Sequence, residues 1–147
     1  MVAEKLKLPK KTENENVSEK IFTKKELNKL ITEKSDRGLV KKLLELLQDS
    51  KAEEIVLIDV CDSSNLADYM FICEGRSQLH CRGIAENIVS RLKHQGEIHL
   101  GIEGEREGNW VLLDYGNIIL HVFHPEIRKY YNLEELYAPH QLKDGTN

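Results

Sequence analysis

What this chain has little of rules out several classes of protein. No stretch approaches the roughly 20 consecutive apolar residues that a helix needs to span a bilayer, so no membrane segment is expected. The N-terminus has no apolar run of the secretory kind, and no arginine precedes Arg37, which argues against an organelle transit peptide. The expected location is the cytoplasm. Cysteine is sparse: Cys61, Cys73 and Cys81 are odd in number and show no CxxC spacing. Cys73 falls inside an apolar strand-like run and Cys81 on the apolar stripe of a helix, so both read as small buried thiols rather than redox or metal groups. There are no internal repeats.

The charge is unevenly spread. Residues 1–35 hold nine Lys and six Glu, a balance of +3, while the remainder holds 12 Lys and Arg against 19 Asp and Glu, a balance of −7. A fold that wraps directly along phosphates favours a basic face, whereas an acidic fold suits a basic protein surface. Residues 1–34 are rich in Lys, Glu and Asn and poor in apolar residues. They are expected to form a disordered extension, because they cannot bury enough surface to offset the entropy of ordering. Within them Leu27, Leu30 and Ile31 would share one face of a short helix, a stripe too small to be stable alone.

The folded domain is expected over residues 35–140, followed by a flexible tail at 141–147. Ser35-Asp36 are plausible helix caps ahead of a broad stripe of Leu39, Val40, Leu43, Leu44, Leu46 and Leu47. Ile55 to Val60 and Tyr69 to Cys73 read as strands separated by the turn residues Asp62-Ser63-Ser64-Asn65. Ser77 is a candidate N-cap for a long helix through Leu92 that stops near Gly96. Ile98 to Ile102 is a third strand. Pro125 suits the first turn of a short helix, and Asn132 with Glu135 resembles a capping box for a last turn through Tyr137. The order predicts an α/β domain with a mixed five-stranded sheet and helices packed on it.

The most informative segment runs from Asn109 to Tyr137. Two β-branched and aromatic runs flank Gly116-Asn117, a two-residue hairpin signal in which Gly supplies positive φ. That turn fixes a register: Tyr115 opposite Ile118, Asp114 opposite Ile119, Leu113 opposite Leu120, Leu112 opposite His121, Trp110 opposite Phe123. Cross-strand partners share a face. One face then carries Val111, Leu113, Tyr115, Ile118, Leu120 and Val122, and should lie on the core. The other carries Trp110, Leu112, Asp114, Ile119, His121 and Phe123. Mixed rings and ionisable groups of this kind form either a second buried layer or a surface for a partner. Burying Asp114 and His121 without partners would cost roughly 1–3 kcal/mol per group. With Arg128, Tyr131 and Tyr137 following, and with Trp, Tyr and Arg enriched at interface hot spots, the expected partner-binding set is Trp110, Asp114, His121, Phe123, Arg128, Tyr131 and Tyr137.

These same residues carry a resemblance. Trp110 to Phe123, then Arg128, Tyr131 and Leu133-Glu134-Glu135-Leu136, resemble the closing signature of the ribosomal silencing factor family, also called Iojap-like proteins. Ala67 to Ser77 resembles its strand-to-helix segment, and Leu100-Gly101-Ile102-Glu103-Gly104 its middle strand and turn. The likeness spans about Leu39 to Tyr137 and does not cover residues before Ser35. Asn117 stands where the family usually has Asp, and Tyr137 where it usually has Trp. The resemblance implies a fold distantly like that of nucleotidyltransferases. It implies binding to the large ribosomal subunit through the universal ribosomal protein fourteen on the face that joins the small subunit, and repression of translation by blocking that joining. No reaction and no cofactor are implied. Contact of the basic extension with rRNA, and a homodimer formed through the aromatic hairpin face, are further partner readings.

An enzyme on the same fold is the alternative, and the residues can be tested for it. Nucleotidyl transfer needs two carboxylates spaced two apart on a strand to hold metal ions. Gly75-Arg76-Ser77 does open a helix, but Asp114 has Leu112 and Gly116 at the partner positions. Glu103, Glu105 and Glu107 alternate, yet Gly104 and Gly108 mark them as a turn. His121 and Asp114 share a face without a Ser or Cys nucleophile beside them. His121 and His124 fall on a strand and a turn, not on a helical metal-binding face. No catalytic residue and no metal ligand is expected.

Overall fold

The structure, a computed structural model, describes residues 20–32, 38–60 and 67–137. The elements in chain order are β1 (Lys20–Ile21), α1 (Lys24–Thr32), α2 (Leu39–Asp49), β2 (Glu53–Asp59), β3 (Tyr69–Glu74) and α3 (Gln78–His94). They are followed by β4 (Gly101–Glu103), β5 (Trp110–Asp114), β6 (Ile118–Phe123), α4 (Pro125–Tyr131) and α5 (Leu133–Tyr137). The strands form one mixed sheet in the order β1-β2-β3-β6-β5-β4. Only β3 and β6 run parallel; every other neighbouring pair is antiparallel. The five expected strands are all present. The sixth is the two-residue β1, which pairs Lys20 with Asp59 and Ile21 with Ile58 at the edge.

The hairpin has the expected register, from Trp110 opposite Phe123 to Asp114 opposite Ile119, closed by the Tyr115 N–H to the Ile118 carbonyl at 2.9 Å. Gly116 has φ 87°, and Asn117 is not among the residues with positive φ. Only the first central residue is left-handed, as a type II′ turn requires. The parity follows from there. Val111, Leu113, Ile118, Leu120 and Val122 enter a first core, closed over by Leu43, Leu44 and Leu47 of α2 and by Ile84 and Ile88 of α3. The opposite sheet face, with Met70, Ile72, Leu112, Ile119 and Phe123, forms a second core closed by Leu133 and Tyr137 of α5. Helices therefore cover both faces.

Local chemistry sets the ends of the elements. The Ser77 hydroxyl accepts the His80 N–H at 3.0 Å and starts α3. Gly96, at φ 83°, ends that helix by donating to the Lys93 carbonyl. Helix α2 departs from expectation: it is preceded by Gly38, without a side-chain cap bond, and Ser35-Asp36 lie outside the described residues. The third strand is shorter than the Ile98–Ile102 run. Ladder pairing begins only at Gly101 opposite Asp114, and Ile98 and Leu100 stand exposed before it. Asn132 takes the left-handed conformation that ends α4, and its amide donates to Glu135 at 2.8 Å at the start of α5. The turn at Asp62–Asn65, Cys61 and the tail at 141–147 also lie outside the described residues.

The fold reaches further back than the boundary at residue 35. α1 begins with a reciprocal bond between Thr23 and Glu26, and Leu27 is buried against the first core with Phe22 packed beside it. Residues 20–32 thus contribute to the core through Leu27, whose short apolar stripe is too small to be stable alone and is stabilised by packing on the sheet and α2. Leu27→Ala should lower stability by about 2–4 kcal/mol, the usual range for a buried Leu truncation. Removing residues 1–34 should lower the thermal midpoint. Urea and thermal unfolding check both, and unchanged midpoints would show that α1 adds nothing to the core.

Candidate functional site

The seven expected binding residues do assemble, but most of them lie inside the protein. Trp110 is the hub. Its indole N–H donates to His121 Nδ1 at 3.0 Å, and its ring lies 4.7 Å from Phe123 and 4.6 Å from Tyr131, centroid to centroid. Trp110, His121, Phe123, Arg128 and Tyr137 are buried; Asp114 and Tyr131 are half-buried. The mixed face is therefore a second core layer, and those five side chains are not offered to solvent. The physical reason is that α4 and α5 fold back across the sheet, because Ile127, Tyr131, Leu133 and Tyr137 have apolar surface of their own to bury.

The polar groups of this layer are handled one by one. Asp114 does not turn to His121. Its carboxylate accepts the Gly116 N–H at 2.8 Å and so braces the hairpin turn. Among the described residues His121 is paired through Nδ1 only, and Nε2 meets no hydrogen-bond partner. Because Nδ1 accepts, the neutral ring carries its proton on Nε2. Burial pushes its pKa down to about 3, because the charged ring would be removed from water. Burial also pushes the Cys73 and Cys81 thiols up, so neither is a ready nucleophile. Among the described residues no group of three or more His, Cys, Asp or Glu converges in a way that could hold a metal ion.

Arg128 ties the cover to the sheet. Its Nε and Nη2 both reach Glu134 Oε1 of α5 at 2.6 Å, and Nη1 donates to the Glu54 carbonyl at 2.7 Å and to Glu74 Oε1 at 3.4 Å. Glu54 presents that carbonyl where the β2–β3 register shifts, at a left-handed φ of 48°. One guanidinium therefore joins an irregular stretch of β2, the end of β3 and the last helix. Sequence reasoning marked Arg128 but not its partners. Glu134 lies six residues on, whereas Glu54 and Glu74 lie 74 and 54 residues back and carry no local signal.

Tyr130 clusters with Tyr131, Tyr137 and Arg128 after the hairpin, as the sequence suggests, whereas the exposed Leu79, Ile98 and Leu100 carried no such signal. Tyr130 is 80% exposed and stands edge-on against Tyr131 at 5.0 Å, which in turn rests on Trp110. Leu79, at the start of α3, and Ile98 and Leu100, beside the β4 edge, are also largely exposed. Next to Leu79 the β4–β5 loop packs closely on α3: Gln78 donates to Asn109 at 2.5 Å. A Cβ on Gly108 would overlap the Gln78 carbonyl, so only glycine fits there.

This architecture agrees with known proteins. The sequence pattern described as "Ribosomal silencing factor during starvation" matches residues 32–147. A ribosomal silencing factor of Zymomonas mobilis is 40% identical over 100 residues, covering 68% of this chain and 75% of that one. The Bacillus subtilis ribosomal silencing factor is 36% identical over 110 residues, covering 75% and 93%. A mouse protein named for mitochondrial assembly of the ribosomal large subunit is 30% identical over 105 residues, 69% of this chain and 46% of its own. A crystal structure of a Chromobacterium violaceum protein superposes with a TM-score of 0.63 at 29% identity, covering 79% of this chain and 87% of that one. The chain belongs to the ribosomal silencing factor family. Its fold is that of the family.

Removing Arg128 should damage the fold before it touches any partner. Arg128→Ala leaves Glu74 and Glu134 without their buried cation and should cost about 3–5 kcal/mol. Arg128→Lys should recover only part of this, because a single ammonium cannot reproduce the forked geometry. Equilibrium unfolding of both variants checks this, and a wild-type midpoint for Arg128→Ala would mean that the cover is not held by this ion group.

Proposed function

We propose that this chain binds the large ribosomal subunit in the cytoplasm, through the universal ribosomal protein fourteen, and keeps it from joining the small subunit. The observation that carries the reading is the family match across residues 32–147. The mouse relative's name, which refers to the large subunit, supports the choice of subunit. The −7 balance after residue 35 suits a basic protein surface. The physical mechanism is occupancy. A bound factor withdraws large subunits from the joining equilibrium in proportion to its affinity and concentration, and no bond need be made or broken.

Burial narrows the candidate contact surface. The contact is carried by the rim of the aromatic layer, with Tyr130, Tyr131 and Asp114 outward. Trp110, His121, Phe123, Arg128 and Tyr137 support that rim from beneath. Tyr130 suits the role because it is exposed yet held by Tyr131, so little side-chain freedom remains to be lost on binding. The basic residues within 1–35 add a salt-sensitive contact to rRNA in the same complex.

Co-sedimentation with purified subunits tests the reading. The protein should pellet with large subunits and not with small ones, and should lower the yield of joined ribosomes. Tyr130→Ala should weaken that binding about tenfold or more, as truncation of an anchor does, while stability stays within about 0.5 kcal/mol. Equal binding to both subunits, or normal joining at saturating protein, contradicts the function. Unchanged binding by Tyr130→Ala contradicts the surface only.

A further inference from the structure

The second core layer accepts His121 in one protonation state. Nδ1 is occupied by the Trp110 indole N–H. A second proton would have to go onto Nδ1, where it would point at that donor. Among the described residues no side chain facing the ring stands ready to balance the charge. On β5, the Asp114 carboxylate is turned to the Gly116 N–H. On β3, Met70 and Ile72 are apolar, and Glu74 is held by Arg128. On β2, Val56 and Ile58 are apolar. Ahead of α4, His124 accepts the Glu126 N–H. On α4 and α5, Arg128 and Glu134 hold each other, which leaves only the phenols of Tyr131 and Tyr137. The Tyr137 hydroxyl is itself buried and meets no hydrogen-bond partner among the described residues.

The two sides of this layer are held in different ways. β6 lies between β3 and β5, with ladder bonds on both edges, and cannot leave without dismantling the sheet. α4 and α5 rest on it through side chains: Tyr131 on Trp110, Leu133 and Tyr137 in the layer, and the Arg128 group at the end. A charge on His121 is therefore relieved more cheaply by lifting the helices than by moving the strand. We propose that Pro125–Tyr137 is a releasable cover, and that protonation of His121 opens it and bares Trp110, Phe123 and Tyr137 while the sheet and the first core stay folded.

The sign follows from where the proton binds better. In the closed layer His121 is lowered from 6.5 to about 3, so the open form holds more protons throughout that window. Closure is at full strength above about pH 6.5 and weakens by up to about tenfold per pH unit as the pH falls towards 3.

The test uses the full chain, titrated from about pH 7.5 to about pH 4 across the histidine range. Fluorescence of Trp110, the one tryptophan, reports the layer. Far-UV circular dichroism reports the sheet, and hydrogen–deuterium exchange resolves peptides from residues 125–137 and from β3. Trp110 emission should shift to the red, and the 125–137 peptides should gain exchange, at a pH where the β3 peptides and the far-UV signal have not changed. All probes moving together, or the cover staying protected until global unfolding, overturns the proposal. His121→Gln keeps an acceptor for the indole but does not titrate, and should keep the cover closed over the same range. Opening at the wild-type pH in that variant would assign the trigger to another group. His121→Phe provides the same comparison if the glutamine variant does not fold.

Discussion

The rest of the structure depends on the turn at Gly116-Asn117. A two-residue turn allows one pairing of β5 with β6, and that pairing fixes which side chains share a face. A slip of β5 by one residue against β6, which β3 holds on its other edge, would turn Trp110 and Leu112 towards α2 and α3 and Val111 and Leu113 away from them. Gly116 makes the turn possible through its positive φ, and Asp114 holds it by accepting the Gly116 N–H. The carboxylate that could have been read as half of an acid–base pair is thus a structural brace.

From that parity two layers of different character follow. The first is aliphatic and closed by two regular helices whose stripes are visible in the sequence. The second is aromatic, carries a buried imidazole, and is closed by two short helices that could not stand alone. Its closure relies on one guanidinium that reaches three parts of the chain. Such an ion group adds little stability over an apolar equivalent, but removing one member leaves charges buried without partners. It therefore fixes the position of the cover more than it strengthens the fold.

Much of the fold was legible in the sequence because its signals are local. Gly-Asn between alternating strands gave the register, and Ser77 gave the start of the long helix. The leucine stripe from Leu39 to Leu47 gave α2. The candidate site was legible only as a list of residues. That Trp110, His121 and Phe123 face one another follows from the hairpin. That they are covered does not, because the cover comes from four scattered apolar residues, Ile127, Tyr131, Leu133 and Tyr137, which read equally well as an aromatic binding patch. The cost of burying an unpaired His121 argues for exposure, yet Trp110 supplies a donor to Nδ1 from the neighbouring strand and the ring is buried with that single bond. The partners of Arg128 and the burial of Leu27 are set by tertiary proximity alone, which no window along the chain can contain.

The parallel pairing of β3 with β6 has a consequence for how the protein is made. All of α3, β4 and β5 lie between those two strands in the chain, so the centre of the sheet is a non-local contact that cannot form until β6 exists. During synthesis the β2–β3 pair, with α2 and then α3 available for its first-core face, must wait with one edge open and its other face uncovered while everything up to Phe123 is translated and released. The last short helices arrive later still. A chain interrupted anywhere before Ile118 has no centre to its sheet, so a truncated product lacking β6 cannot hold the arrangement that both cores are built on.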